Sequence, residues 1–505
     1  MGDKRLTLVA TILASAVVFI DTTVVNVALP ALREDFDAGL AAQQWVVEAY
    51  LLTLASLLLV GGSLGDLLGR RRVFIAGLVG FGATSALCAV APSVELLVAA
   101  RALQGIAGAL LVPSSLAIVT ATFDEDERGA AIGTWTAWTG IGIVIGPLVG
   151  GLLVDAVSWR LVFALNLPLV AATLALALRV VRESADPEAG RRVDWQGGLL
   201  CALAFGGVVF GLVEQPTEGF GSPLVWVPMA AGSLAAAAFL ARARSARSPM
   251  LPLGLFRSRN FSAANLATFA IYAALGAITF FSVLFVQQVG GYSAFGAGAA
   301  FMPISLLLFL LSRRFGALAD RIGSRVLMTA GPLVSGIGAL LFLRVGEEAA
   351  YVADVLPAVV VFGLGLAMTV APLTATVLGA VEQRHAGVAS GVNNAVARVA
   401  GLMAIAAVGA IVSAGFGSKL DERLPADGLG AEARAVAERA QERPLAPVED
   451  DRVPAAERDT LRPALDDASV AGFHAGILAV AALLFAGAAL SAAGVRNAVR
   501  TTSVH

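Results

Sequence analysis

The sequence predicts an all-α polytopic membrane protein, built as two parallel six-helix halves with two extra central helices. Three observations carry this. Of 505 residues, 58% are hydrophobic and only 14% charged, with a mean hydropathy of +0.81; soluble domains sit near a quarter charged. Apolar runs approach or exceed the roughly 20 residues a bilayer span needs, and they recur fourteen times: 7–29, 44–62, 73–91, 94–121, 130–154, 161–181, 195–213, 224–241, 263–287, 295–312, 326–343, 355–380, 387–413 and 470–492. Finally, the chain repeats itself. Gly65-Asp66-Leu-Leu-Gly69-Arg70 matches Ala319-Asp320-Arg-Ile-Gly323-Ser-Arg325, and Pro113 to Gly129 matches Pro372 to Gly387 with one gap.

The runs are continuous rather than alternating, which in a bilayer means helices and not barrel strands. The repeat pairs spans 1–6 with spans 9–14, and an even insertion of two spans keeps the halves parallel. This divides the chain into an N-terminal half (1–181), cytoplasmic linkers with central spans 7 and 8 (182–260), and a C-terminal half (261–505). With the N-terminus inside, the inner segments hold twenty-two Lys and Arg, against Arg33, Arg160 and Arg344 in the short outer loops. The positive-inside rule therefore places both termini in the cytoplasm. The segment 414–468 is then extracytoplasmic. It mixes Pro, Asp, Glu and Arg around a helix-like stretch, 431–440, and reads either as a disordered spacer or as a helical cap.

A net charge of −2 implies no nucleic-acid partner. Two cysteines, Cys88 and Cys201, both in apolar runs, imply no disulfide framework. His385, His474 and His505 are too scattered for a metal cluster. The first apolar run is long and lacks an Ala-x-Ala-like site, so it is expected to remain as a span. No Gly-x-x-x-x-Gly-Lys-Ser/Thr sequence occurs, so this chain does not draw on ATP.

Charged groups inside a bilayer are functional candidates by default. Here they are Asp21, Glu48, Arg101 and Arg398. Asp21 and Arg101 lie at similar depth in spans 1 and 4. Two readings stand: a proton switch, or a static ion pair locking the spans. Glu48, in Trp45-Val-Val-Glu48-Ala-Tyr50, is either a vestibule carboxylate for protons and cations or a group snorkelling to the interface. Asn26, Gln104, Asn393, Asn394 and Arg398 are the candidate cavity residues. In the loop between spans 2 and 3, Gly65 and Gly69 let the turn close. Arg70 and its neighbours anchor it to anionic headgroups, and Asp66 is placed to meet a helix N-terminus. Span 5 carries Gly142, Gly146 and Gly150 at every fourth residue, then Pro147 and the pair Gly150-Gly151. Three side-chain-free positions share one face and a proline bends the helix, which suits either a sliding contact or static close packing.

These motifs together resemble the major facilitator superfamily, and within it the fourteen-helix drug:proton antiporters. Gly65 to Arg72 resembles the signature loop. Arg101-Ala-Leu-Gln104-Gly105-Ile-Ala-Gly108 resembles the helix-4 motif, and Gly142 to Gly151 the antiporter motif of helix 5. Asp21 to Pro30, Trp159 to Pro168 and Asp194 to Gly197 are also similar to that family. The resemblance covers the whole chain except 414–468. It implies that Arg101 and Asp21 take part in proton coupling and that Asp66 latches an inner gate against the start of span 13, near Gly387. The second copy keeps Asp320, Gly323 and Arg325 but has Ser324 for arginine, so a weaker latch is expected there. Glu48 departs from the small polar residue expected at its position.

The expected function is proton-coupled efflux of hydrophobic, cationic compounds across the inner or plasma membrane by alternating access. The proton is the coupling ion. No cofactor is required, no enzymatic constellation is visible, and a monomer is expected. The rivals are a dedicated exporter of one secondary metabolite or lipid, an importer, and a non-transporting receptor or scaffold.

Overall fold

The computed structural model describes residues 2–185, 194–246, 249, 251–347, 349–381, 386–424, 430–442, 444–445 and 453–497; for 2, 59, 125–126, 128–130, 133, 136–137, 139–144, 386–387, 442 and 456 the backbone alone is described. The described residues form helices and connecting turns, without strands. In chain order these are α1 (Gly2–Phe36), α2 (Leu40–Leu68), α3 (Arg70–Ala89), α4 (Val94–Thr122), α5 (Glu125–Ala156), α6 (Leu161–Ala164), α7 (Asn166–Val180), α8 (Trp195–Glu218), α9 (Pro223–Ser245), α10 (Arg259–Gln288), α11 (Ala294–Ile322), α12 (Ser324–Leu341), α13 (Leu356–Gly379), α14 (Ala386–Arg423), α15 (Ala431–Glu442) and α16 (Ala455–Gly494).

Twelve of the described helices are long and apolar enough to cross a membrane, or thirteen if Leu40–Leu58 and Val60–Leu68 form one bent span. The sequence expectation of fourteen exceeds this count. Its span 130–154 falls in α5, whose side chains are described only in part and whose segment Ile145–Ala156 is shorter than a span.

The chain divides into two compact units. The first comprises Met1–Pro252, Phe280–Ala299 and Val412–Gly472. The second comprises Leu253–Thr279, Ala300–Ile411 and Phe473–His505. Small residues set the helix pairings in each, because backbones pack closest where no side chain intervenes. In the first unit, a Cβ on Gly105 would stand 2.1 Å from Thr53 Oγ1 and 2.3 Å from the Tyr50 carbonyl, joining α2 to α4. Gly146 and Gly150 meet Thr23 and Val24, joining α1 to α5. In the second unit, Gly276 meets Gly401 between α10 and α14, and Gly365 meets Ser335 between α12 and α13. The pairing α1·α5 is thus repeated by α10·α14, as the sequence repeat requires.

The repeat extends to the turns. Gly69 (φ +106°) separates α2 from α3, and Gly323 (φ +94°) separates α11 from α12; both stand in the left-handed region that favours glycine. Each turn is tied to the last span of its own half. Arg70 N donates to Ser184 O at 2.8 Å, and Arg325 N donates to Asn497 Oδ1 at 3.0 Å. The extra pair has its own staple: Asp194 caps α8 through Gly197 N (2.9 Å) and accepts from Arg242 Nε of α9 at 2.6 Å.

The segment 414–468 corrects one expectation. Helix α14 runs on to Arg423 and α16 begins at Ala455, so both helices outlast their predicted apolar spans. The reason is a separate apolar stripe. Phe416, Leu420 and Leu424 pack with Ala433, Val436 and Ala440 of α15 and with Leu461, Ala464, Leu465 and Ala468 of α16. Of the two readings offered by the sequence, the described part is helical and packed rather than a disordered spacer.

Gly105→Ala is expected to destabilise the protein by about 1–3 kcal/mol through overpacking. Gly417→Ala, whose Cβ meets nothing within 4 Å, is expected to stabilise α14 by about 0.5–1 kcal/mol. Thermal unfolding midpoints of the two purified variants, moving in opposite directions, check this.

Candidate functional site

Asp21 and Arg101 are fully buried, at 0% and 1% exposure, within the first unit. Arg101 Nη1 donates to Asp21 Oδ2 at 2.5 Å and to Gln104 Oε1 at 2.7 Å. Arg101 Nε donates to Val46 O of α2 at 3.0 Å. The other carboxylate oxygen, Asp21 Oδ1, accepts from Gln104 Nε2 (3.0 Å) and Asn166 Nδ2 (2.9 Å). Both of these amides also donate to Ser85 Oγ, at 2.8 and 3.2 Å. The guanidinium lies 4.2 Å from the Tyr50 ring centroid and 5.6 Å from that of Phe163, a cation–π arrangement worth more when desolvated. Tyr50 in turn donates to Val18 O at 3.2 Å. Five helices, α1, α2, α3, α4 and α7, thus meet at one ion pair.

The sequence identified Asp21 and Arg101, whereas Asn166 and Ser85 were not singled out as site residues. An uncharged polar side chain in an apolar run gives a weaker signal than a charge. Gln104, expected in the cavity, belongs to this cluster and is 0% exposed.

Glu48 contrasts with Asp21. It is also 0% exposed, which removes the snorkelling reading. Among the described residues neither of its carboxylate oxygens has a hydrogen-bond partner. One turn before it, Trp45 Nε1 donates to Glu214 Oε1 of α8 at 3.0 Å, and the Trp45 ring lies 5.7 Å from that of Phe210. One turn after it, Leu52 lies beside Gly206 of α8. Glu48 therefore sits at the edge of the α2 stripe that packs on α8. Glu214 escaped the sequence reading because it falls one residue beyond the predicted end of its span.

The remaining candidates are dispersed. Asn26 is half-buried, and its Oδ1 has no partner among the described residues. Asn393 Nδ2 donates to Thr268 Oγ1 (2.7 Å) and Asn265 Oδ1 (3.2 Å), fastening α14 to α10 inside the second unit. Asn394 is exposed and bonds its own helix at Ser390 O; Arg398 is half-buried. Asp66 pairs with Arg70 one turn on, at 2.8 Å. Its expected partner near Gly387 lies outside the residues described with side chains, as does Gly142. Asp320 is exposed.

On α5 the glycines divide between two neighbours. Gly146 and Gly150 pack on α1. The face one residue round carries the other contact: a Cβ on Gly151 would stand 2.5 Å from Phe295 Cα, and one on Gly298 would stand 2.6 Å from Pro147 O. Pro147 and Gly151 thus face the start of α11.

Long apolar helices, with a charge cluster buried among those of the first unit, define a polytopic membrane protein. Residues 11–418 match the family model described as Major Facilitator Superfamily. The multidrug resistance protein Stp of Mycobacterium tuberculosis is 35% identical over 422 residues, covering 83% of this chain and 78% of that protein. The tetracenomycin C resistance and export protein of Streptomyces glaucescens is 32% identical over 477 residues, covering 94% and 85%. A solved bacterial homologue of the human lysosomal transporter Spinster, inward-facing and occupied, shares the fold, with a TM-score of 0.64 at 16% identity over 96% of this chain and 95% of that one. The chain belongs to the Major Facilitator Superfamily and is a transporter, not an enzyme.

Removing one partner of a buried ion pair strands the other charge, at about 3–5 kcal/mol. Asp21→Asn and Arg101→Gln are each expected to lower the unfolding midpoint of the purified protein. The double variant is expected to regain part of the loss, because no uncompensated charge remains.

Proposed function

We propose that this chain is a proton-coupled drug exporter working by alternating access, and that Glu48 carries the coupling proton. The observation that supports this most directly is the burial of Glu48 with both oxygens unpartnered among the described residues. A carboxylate removed from water in this way needs a proton or a cationic partner. Proton and cationic substrate then compete for one group: substrate displaces the proton, and the proton returns the group to its neutral form. Asp21 already has a permanent counter-charge in Arg101, so it serves as the anchor of the first half. Trp45, Phe210 and Glu214 flank the Glu48 stripe with aromatic and acidic groups, which favour aromatic cations.

The wider reading follows the sequence expectations. Fourteen spans put both termini in the cytoplasm. The halves 1–181 and 261–505 form the transport pathway, and spans 7 and 8 are an extra pair inserted between them in the chain. Substrate enters from the cytoplasm or inner leaflet and the proton enters from outside. Asp66 with Arg70, and Asp320 with Gly323, act at the inner gate, while the α5 stretch from Gly142 to Gly151 acts in conformational change. Asn26, Asn394 and Arg398 offer polar groups to substrate, and the protein works as a monomer without a cofactor. A membrane potential of 100 mV contributes about 2.3 kcal/mol per proton, enough to sustain a gradient.

A dedicated exporter is the second reading, favoured by the relative whose name specifies tetracenomycin C. Competition between chemically unrelated dyes separates the two: a multidrug exporter shows mutual inhibition.

Ethidium efflux from energised cells expressing the wild-type chain is expected to collapse on adding a protonophore. Glu48→Gln, measured at matched expression, is expected to lose active efflux. Efflux by that variant equal to wild type and equally protonophore-sensitive would exclude Glu48 as the coupling group. Absence of dye efflux by a folded, inserted wild type would favour the dedicated exporter.

A further inference from the structure

We propose that Asp155 is a gating residue that clasps the N-terminus of α11 and holds the outer side of the transporter closed. This rests on the alternating-access reading, in which the C-terminal end of α5 is extracytoplasmic. Both segments belong to the first compact unit.

Every helix begins with backbone N–H groups that lack a partner within the helix. At the start of α11 three of them are satisfied by side chains. Asp155 Oδ1 accepts from Ala294 N at 3.0 Å and Asp155 Oδ2 from Phe295 N at 2.9 Å. The third, Gly296 N, donates to Ser293 Oγ at 3.1 Å. Two of the three donors are thus answered from a different helix, by an anion at the positive end of the helix dipole. Asp155 follows Gly151 and Pro147 at four-residue steps, so all three stand on one face of α5. Gly151 and Gly298 bring the backbones together, and Asp155 locks them there.

The clasp is suited to gating because its loss is easily tolerated. Asp155 is exposed, so water can replace it on the two amides when α5 and α11 part. It therefore biases the closed arrangement without making it permanent. It also differs in kind from the Asp21–Arg101 pair, which is sealed from water.

The test is a distance measurement that does not depend on transport. Spin labels go on Val157→Cys and Phe295→Cys, both exposed, in the full-length protein with Cys88 and Cys201 replaced by alanine and reconstituted in nanodiscs. Asp155→Ala and Asp155→Asn are expected to raise the ratio of long-distance to short-distance populations about fivefold, the size of a lost helix cap. Asp155→Glu is expected to restore most of the short-distance population. Ser293→Ala, which removes a cap from the same helix end but leaves the tie to α5, is expected to leave the distribution as in the parent. Unchanged distributions in both Asp155→Ala and Asp155→Asn would overturn the proposal. So would a shift in Ser293→Ala as large as that in Asp155→Ala, since the effect would then belong to the helix end. These outcomes stand apart from the efflux assay, which tests Glu48.

Discussion

The first half of this transporter depends on a single ion pair in an apolar medium. Taking Asp21 and Arg101 out of water is costly, several kcal/mol for each ion even after relaxation. The fold offsets this with a complete set of partners. Both oxygens of Asp21 are answered, Arg101 reaches a carbonyl of α2, and two aromatic rings flank the guanidinium. Such an arrangement is favourable only when every member is in place. The packing of α1, α2, α3, α4 and α7 is therefore coupled: moving one helix alone would break a buried bond. These helices are suited to moving together.

The same reasoning separates the two buried acids. Asp21 has Arg101 beside it, whereas among the described residues the oxygens of Glu48 have no hydrogen-bond partner, which is why the proposed reading gives the proton to Glu48. In the proposed reading Asp21 is the anchor and Glu48 the carrier. The exposed Asp155 adds a third role, a contact made and unmade at the surface. Exposure sets Asp155 apart: Asp21 and Glu48 are both sealed from water, while the clasp is open to it.

The sequence disclosed some of this and hid the rest, for physical reasons. Charges in apolar runs stand out, so Asp21, Arg101 and Glu48 were legible as candidates. Of the uncharged partners around Asp21, Gln104 was singled out, but for the cavity, and Asn166 and Ser85 were not singled out, because only geometry gives such a side chain its neighbour. Periodicity put Gly146 and Gly150 on one face but could not say which helix that face meets. The structure gives it to α1, while Gly151, one residue on, meets α11. Glu214 lay past the apparent end of a span, where a carboxylate is ordinary. The repeat around Asp66 and Asp320 foretold the paired turns at Gly69 and Gly323, because a left-handed backbone position favours glycine in both copies. In 414–468 the helix-like stretch was visible, but the apolar stripes of α14 and α16 that complete its cluster were read as part of the loop, because charged residues interrupt them.

The division of labour between Glu48 and Asp21 is tested most directly by proton release on substrate binding. Purified protein in weakly buffered detergent solution, mixed with saturating ethidium, is monitored with a pH indicator across a range of starting pH. The wild type is expected to release about one proton per bound ethidium at some pH in that range, and Glu48→Gln none at any. Undiminished release by Glu48→Gln, with binding intact, would contradict the assignment and return the proton to Asp21.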